Sequence, residues 1–194
     1  MVDSDFIDRV FMTARTHSNW QAKTVSLSLL HRVYDIARMA PTSVNCSPAR
    51  FVFLTTPQAK EKILPSLVPA NIEKVRSAPV TVIVAEDMDF HVHIPRLFHH
   101  RPEAMQPFVD NENLREITAF RNSTLQGAYF ILAARACGLD CGPMSGFDHA
   151  VVDQAFFPRG QWRSNFLINL GYGVQDKLFP RLPRLSFDEA CLVL

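Results

Sequence analysis

Three stretches of the 194-residue sequence crowd cationic and short polar side chains together, and each could hold an anion without a glycine-rich loop. Arg15-Thr-His-Ser-Asn19-Trp20 packs a guanidinium, two hydroxyls, an imidazole and an amide behind the first helix. That set suits a phosphate; it equally suits a solvated helix end whose Thr16 and Ser18 cap the next element. Pro41-Thr-Ser-Val-Asn45-Cys-Ser-Pro48 joins the second helix to the first strand, either as a ligand-facing loop or as a plain polar connector. Arg181-Leu-Pro-Arg184 holds two cations on a proline-restricted backbone, a phosphate clamp or a basic surface turn. A fourth stretch, Gly138-Leu-Asp-Cys-Gly142-Pro-Met-Ser-Gly146-Phe-Asp148, supplies backbone N–H groups that can approach a ligand closely, or simply a helix C-cap with a tight turn.

Other chemistries find less support. No G-x-G-x-x-G or G-x-x-x-x-G-K-[ST] pattern is present, and seven glycines leave few places for one. His91, His93, His99 and His100 lie on a Pro-rich stretch and complete no metal-ligand set, so no metal is expected. Ser145 is not in a G-x-S-x-G elbow, and nothing pairs Cys46 with a base, which argues against a hydrolase. Four scattered cysteines form no disulfide framework and are expected to stay reduced. A net charge of +1 gives no reason to expect nucleic acid as partner. The N-terminal stretch has no uncharged apolar core, and no later run reaches the roughly 18 apolar residues of a membrane span. A soluble, cytoplasmic protein without a membrane partner is expected.

The elements that must position these groups follow from periodicity. Phe6, Val10 and Phe11 recur at helical spacing, as do Leu29, Leu30, Val33, Ile36 and Ala37. Short apolar runs at Arg50–Thr55, Pro79–Ala85 and Asn165–Leu170 read as buried strands. Gln58–Leu67 and Asn71–Ser77 read as short helices. Thr118–Cys137 reads as a long helix stopping at Gly138, apolar over an arc broad enough for a central or interface position. Residues 87–113, with three prolines and little period, read as an excursion loop near a site. At 194 residues and 47% hydrophobic, the chain is expected to form a single domain, 1–194, of α/β or α+β class with a helix-covered sheet.

Taken together and in order, these segments resemble the FMN-dependent nitroreductase family over nearly the whole chain. The resemblance places Arg15 on the flavin phosphate, with Thr16, His17 and Asn19 beside it, although the family's R-x-S-x-[RK] motif has Ser where His17 stands and a base where Asn19 stands. Pro41-Thr-Ser-Val-Asn-Cys-Ser-Pro-Ala49 is similar to P-[ST]-S-x-N-x-Q-P-W, which puts Pro41, Thr42, Ser43 and Asn45 along the cofactor; Ser47 and Ala49 depart from Gln and Trp. Asn71 and Lys74 match N-x-x-K, which contacts the pyrimidine edge. Pro143, Met144, Ser145 and Gly146 match P-x-E-G-F, with the Ser145 backbone N–H near flavin N5 and Ser replacing Glu. Arg184, with Arg181 where the family has Lys, resembles the C-terminal phosphate clamp.

The resemblance implies an α+β nitroreductase-like fold, a central mostly antiparallel sheet flanked by helices in an intertwined homodimer with FMN at the interface. It implies NADH or NADPH as hydride donor, flavin N5 rather than a side chain as the reacting centre, and a small-molecule substrate. Ala119–Tyr129, Gly142–Asp148 and Phe179–Leu185 look most like the malonic semialdehyde reductase branch of pyrimidine degradation, which reduces 3-oxopropanoate to 3-hydroxypropanoate. A broad nitroaromatic or quinone reductase, and a flavin-storing protein without turnover, are the alternatives.

Overall fold

A computed structural model describes residues 4–194. Helix α1 (Ser4–Ile7) runs into a π turn at Asp8–Met12, followed by α2 (Leu27–Ala37), β1 (Ala49–Leu54), α3 (Pro57–Glu61), α4 (Pro69–Ser77) and β2 (Val80–Asp87). Then come α5 (Ile94–Leu97), α6 (Gln106–Asp110), α7 (Glu112–Ala136), β3 (Asp140–Met144), α8 (His149–Phe156), β4 (Trp162–Gly171) and α9 (Phe187–Ala190). The fold is α+β.

The four strands form one antiparallel sheet in the order β1-β2-β4-β3. Its inner strand β2 is buried along its whole length, because helices cover both faces. On one face Val80, Val82 and Val84 meet Leu30 and Val33 of α2 and Phe130, Ala133 and Ala134 of α7. On the other, Ile83, Ala85 and Leu167 meet Ile63, Val75 of α4 and Val152 of α8. The two-residue alternation of strands thus sorts the apolar side chains into two cores.

Local signals set the helix ends. Ser26, Thr56, Asn111 and Asp148 each accept a backbone N–H of the first turn they precede. Helix α7 stops at Gly138, whose φ of 81° is open to glycine; Gly138 N donates to Arg135 O and Leu139 N to Ala134 O, a Schellman closure. That closure turns the chain directly into β3.

Three expectations change. Asp140–Met144, read as part of a turn, is an edge strand: five residues with Gly and Pro carry no β signature, and their pairing with β4 decides the matter. Residues 87–113 are not an irregular loop but a chain of short helical turns enclosing their own cluster of Met88, Phe90, Ile94, Phe108, Ala119 and Cys46. Turns of four or five residues are too short to show a period. Finally, α7 starts at Glu112, before the apolar pattern begins, because Asn111 caps it there. No helix among the described residues is long and apolar enough to cross a membrane.

Glu86, near the end of β2, is 9% exposed and its Oε2 has no partner. Burial pushes its carboxyl up to about 7; Arg163 opposes the shift, and Asp153 and Glu116 reinforce it. Between about pH 4 and 7 the folded chain therefore keeps a proton that the unfolded chain releases, so this residue's contribution to stability falls as pH rises through that window. Glu86→Gln should remove a pH-dependent loss on the order of 2–3 kcal/mol. The check is denaturant unfolding of both proteins at pH 5 and pH 8: the variant gains relative to wild type only at the higher pH. Equal differences at both would contradict it.

Candidate active site

The outer edge of β3 is where most of the expected site residues meet. His17 N donates to Cys141 O at 3.0 Å, and Thr16 pairs with Cys141 as a short parallel bridge, so residues 15–19 lie alongside β3. Antiparallel alternation then turns the backbone groups of residues 141 and 143 away from β4. Pro143, which has no N–H, sits at one of these outward positions without disturbing the ladder. Ser145, the first residue past the strand, is exposed, and its N–H has no acceptor among the described residues. This is an unpaired backbone donor at an exposed edge.

Helix α4 supplies the neighbouring wall. Asn71 Nδ2 donates to Gly146 O at 3.4 Å, and Lys74 Nζ donates to Asn71 Oδ1 at 3.0 Å. A Cβ on Gly146 would stand 3.2 Å from Asn71 Nδ2, a tight contact that glycine avoids. Beneath them, Asn169 Nδ2 donates to Lys74 O at 3.0 Å and Asn169 Oδ1 accepts from Thr81 Oγ1 at 2.7 Å. That buried relay fixes the C-terminal half of α4 against the sheet and with it the Lys74 side chain.

His17 faces inward. It is 3% exposed, Nε2 lies 3.3 Å from Asp140 Oδ1, and the ring tilts against Trp20. Burial lowers its pKa; Asp140 opposes this and Arg15 and Arg135 add to it, so the ring is neutral at pH 7. Asp140 can only accept, which assigns the ring proton to Nε2 and leaves Nδ1 an unpaired acceptor. Asp140 Oδ2 also accepts Gly173 N at 2.8 Å. Asn19 O accepts Val174 N, while the Asn19 side chain stays exposed. His17, Asp140 and Gly173 thus clip residues 15–21 between β3 and the chain leaving β4. No motif links His17 to Gly173, which stand 156 positions apart.

Arg15 and the C-terminal arginines cross the same region. The Arg15 guanidinium donates to Phe179 O, and Arg181 Nη2 donates to Met12 O at 2.7 Å and Ala14 O at 2.9 Å. Arg184 bonds only to carbonyls of its own turn, Leu182 and Pro183. Arg15 and Arg181 therefore tie the two ends of the chain together, and Arg184 remains the cation with only local bonds.

The Pro41–Asn45 loop is elsewhere. Thr42 Oγ1 accepts Ser47 N, Ser43 N donates to Asn122 Oδ1 of α7, and Asn45 Nδ2 donates to Leu97 O of α5. The loop leads into β1, at the same end of the sheet as Met144 but on the opposite edge. Three strand spacings separate the two edges, roughly 14 Å. No hydrogen bond joins this loop to residues 15–19, 71–74 or 143–146 among the described residues. The chain thus holds the expected site residues in two separate groups, not in one closed site.

The donor set fits a phosphorylated flat ligand: cations at Arg15 and Arg184, an amide and an ammonium at Asn71 and Lys74, and the unpaired Ser145 N–H beside the Gly146 opening. Among the described residues no group of three or more His, Cys, Asp or Glu could hold a metal ion. Burial pushes the Cys46 thiol up to about 11, so it carries no thiolate at neutral pH.

Known proteins resemble this chain in sequence and in fold. The family model described as "Nitroreductase family" matches residues 12–172. A Burkholderia lata protein named as an NADH dehydrogenase/NAD(P)H nitroreductase is 58% identical over 183 residues, spanning 94% of this chain and 93% of the relative. A Rhodopseudomonas palustris protein of the same name is 53% identical over 188 residues, spanning 97% and 95%. Among solved structures, a nitroreductase from Exiguobacterium sibiricum in complex with FMN superposes with a TM-score of 0.87 at 20% identity, covering 100% of this chain and 99% of that one. A Bacillus subtilis nitroreductase gives the same TM-score and identity over 99% and 100%. On the sequence match and the shared fold, the chain belongs to the nitroreductase family.

Proposed function

We propose that the chain, as one domain over residues 1–194, binds FMN and reduces a small substrate with hydride from NADH or NADPH. The observation that carries this reading is that Asn71, Lys74 and Gly146 meet at the end of β3, the strand whose outer edge residues 15–19 flank. The FMN bound by a structural neighbour and the NAD(P)H in the relatives' names point the same way. FMN, when bound, supplies a reversible hydride carrier at N5.

The protein's part is placement. Arg15 and Arg184 hold the phosphate, with Thr16 and Asn19 at its rim and Arg181 and His17 holding the backbone that carries Arg15. Asn71 and Lys74 face the pyrimidine edge. Pro143 and Met144 line the approach, and Ser145 N–H is the donor assigned to N5. The second half-site, Pro41, Thr42, Ser43 and Asn45, comes from a second copy in a homodimer, since no single chain brings both edges together. Ile117, Phe120, Leu125 and Tyr129, exposed along α7, and the exposed apolar side chains of the C-terminal arm, Phe179, Leu182, Leu185 and Phe187, are the surfaces such a dimer covers. The substrate oxygen takes its proton from solvent.

The physiological substrate in this reading is 3-oxopropanoate, reduced to 3-hydroxypropanoate in the cytoplasm. With Ser47 and Ala49 where the family pattern has Gln and Trp, this loop offers no indole for an aromatic substrate to stack on, which supports an aliphatic aldehyde over a nitroaromatic. The test is anaerobic: NAD(P)H bleaches the bound flavin within the mixing time of a turnover assay, and 3-oxopropanoate restores the colour faster than a quinone or nitroaromatic does. Restoration by quinone alone makes the protein a broad reductase; slow bleaching makes it a flavin store.

A further inference from the structure

The turns after β2 carry a charge pattern that holding a flavin does not require. Residues 90–102, Phe-His-Val-His-Ile-Pro-Arg-Leu-Phe-His-His-Arg-Pro, contain four of the chain's seven histidines and two arginines, with no acidic side chain, although the whole chain carries only +1. Some of these groups are engaged. His91 is half-buried, His93 lies 3.9 Å from Asp87, Arg96 lines the space between α2 and β1, and Arg101 lies 3.6 Å from Glu103. His99 and His100, at the crest of the turns, are exposed and have no hydrogen bond or ion pair among the described residues.

The crest is nevertheless held in place. The His100 ring packs on Phe98 with centroids 4.1 Å apart, and the His99 ring stands across it at 86° and 5.9 Å. Phe98 is half-buried against the cluster of Met88, Phe90, Ile94, Phe108, Ala119 and Cys46. Backbone bonds from Phe98 N to Ile94 O and from Arg101 N to Phe98 O fix the turn on either side.

That cluster also joins the crest to the loop assigned to the cofactor. Cys46 is one of its buried members, Val44 packs against it, and Asn45 Nδ2 donates to Leu97 O at 2.8 Å. The loop is strained: Val44, Asn45 and Ser47 have φ of 47°, 51° and 42°, a left-handed backbone in three non-glycine residues of four. Bonds from Ser43 N to Asn122, Ser47 N to Thr42 and Ala49 N to Gln126 maintain it. Loop and crest therefore form one rigid unit. The carbonyl that Asn45 grips belongs to Leu97, two and three residues before the imidazoles of His99 and His100.

We propose that His99 and His100 bind the carboxylate of the substrate, and so select a short oxo acid over a neutral aldehyde of the same length at the flavin held by the second copy. The inference rests on the flavin reading, which sets the Pro41–Asn45 loop of one copy against the cofactor on the other's β3 edge. An imidazole keeps an N–H donor in either charge state, and when protonated it adds a full positive charge. Arg101 strengthens the local field. With its carboxylate held at the crest, a three-carbon acid leaves its aldehyde carbon free to face the flavin.

The experiment uses the FMN-loaded protein with saturating NADH or NADPH. 3-Oxopropanoate should exceed propanal in kcat/KM by at least about tenfold, and added salt should narrow that gap by lowering the acid's value alone. Propanoate should compete with 3-oxopropanoate at least about tenfold better than propanamide does, a readout that needs no variant to fold. His100→Phe keeps a ring on Phe98 and removes the donors. It should lower kcat/KM for the acid by about tenfold, through KM, while the value for propanal moves less than twofold. His100→Arg should restore most of that loss. A wild type with no preference for the acid overturns the proposal. So does a His100→Phe protein that keeps the wild-type preference, whether it loses neither substrate or both alike. Flavin bleached by NAD(P)H in wild type keeps the flavin reading intact whichever substrate is preferred; a protein that takes up no FMN overturns both.

Discussion

Gly173→Ala is expected to lower the melting temperature by about 2–12 °C, and His17→Ala in the same chain is expected to return part of it. A Cβ at Gly173 would stand 1.9 Å from His17 Nδ1 and 2.3 Å from Cγ, well inside contact distance, and the ring is held by Asp140 and Trp20 with no room to retreat. Overpacking of this kind costs about 1–3 kcal/mol, and each kcal/mol shifts the midpoint by roughly 2–4 °C at this chain length. Trimming His17 alone leaves a void and removes one of the two partners of Asp140, so it is destabilising too. In the double variant the methyl enters space the ring vacated, and the two losses fail to add. Gly142→Ala offers the contrast: its Cβ would meet the His17 carbonyl oxygen at 2.4 Å, a backbone atom that no side-chain trimming removes. Thermal unfolding of the four variants reads the cycle. Additive losses in the double variant would show that His17 and Gly173 do not oppose each other.

The second large effect is on cofactor retention. Arg15→Ala should weaken FMN binding by about 10- to 100-fold, the loss of a charge-assisted bond worth roughly 1.5–3 kcal/mol. Arg15 is half-buried and, among the described residues, its side chain's only hydrogen bond is to the Phe179 carbonyl, so the protein itself loses little stability with it. Arg15→Lys should recover only part of the affinity, because an ammonium lacks the paired donors of the guanidinium. Arg181→Ala separates the two roles of this region. Its bonds to Met12 O and Ala14 O anchor the C-terminal arm, so it should lower stability more than it raises the dissociation constant. Flavin fluorescence titration beside thermal unfolding distinguishes them; equal effects of Arg15 and Arg181 on FMN would mean that neither contacts the phosphate.

Much of the scaffold was legible because its signals are local. The α2 pattern, the β1, β2 and β4 runs, and the caps at Ser26 and Asp148 are all readable within about ten residues. Strand β3 was not, since Asp-Cys-Gly-Pro-Met has no strand propensity and is held by its partner on one side and residues 16–17 on the other. The helical turns of 90–110 were hidden by their brevity. At the site, residue types pointed to phosphate and amide chemistry. The inward turn of His17 and the engagement of Arg181 with Met12 and Ala14 depend on contacts more than 100 positions apart, which no motif encodes. The strain at Val44, Asn45 and Ser47 was equally invisible, because none of the three is a glycine.

The separation of the two half-sites on opposite sheet edges gives the account its sharpest consequence. If FMN lies between two copies, Arg15→Ala breaks one half of every site and Ser43→Asp, which places a carboxylate beside the phosphate, breaks the other. Each homodimer alone should then retain almost no flavin. Unfolding and refolding the two variants together produces mixed dimers in which one site carries both defects and the other carries neither. Flavin binding and NAD(P)H-dependent bleaching should return to about a quarter of the wild-type level. A mixture that binds no more flavin than its separate parents would contradict a cofactor site shared between two chains.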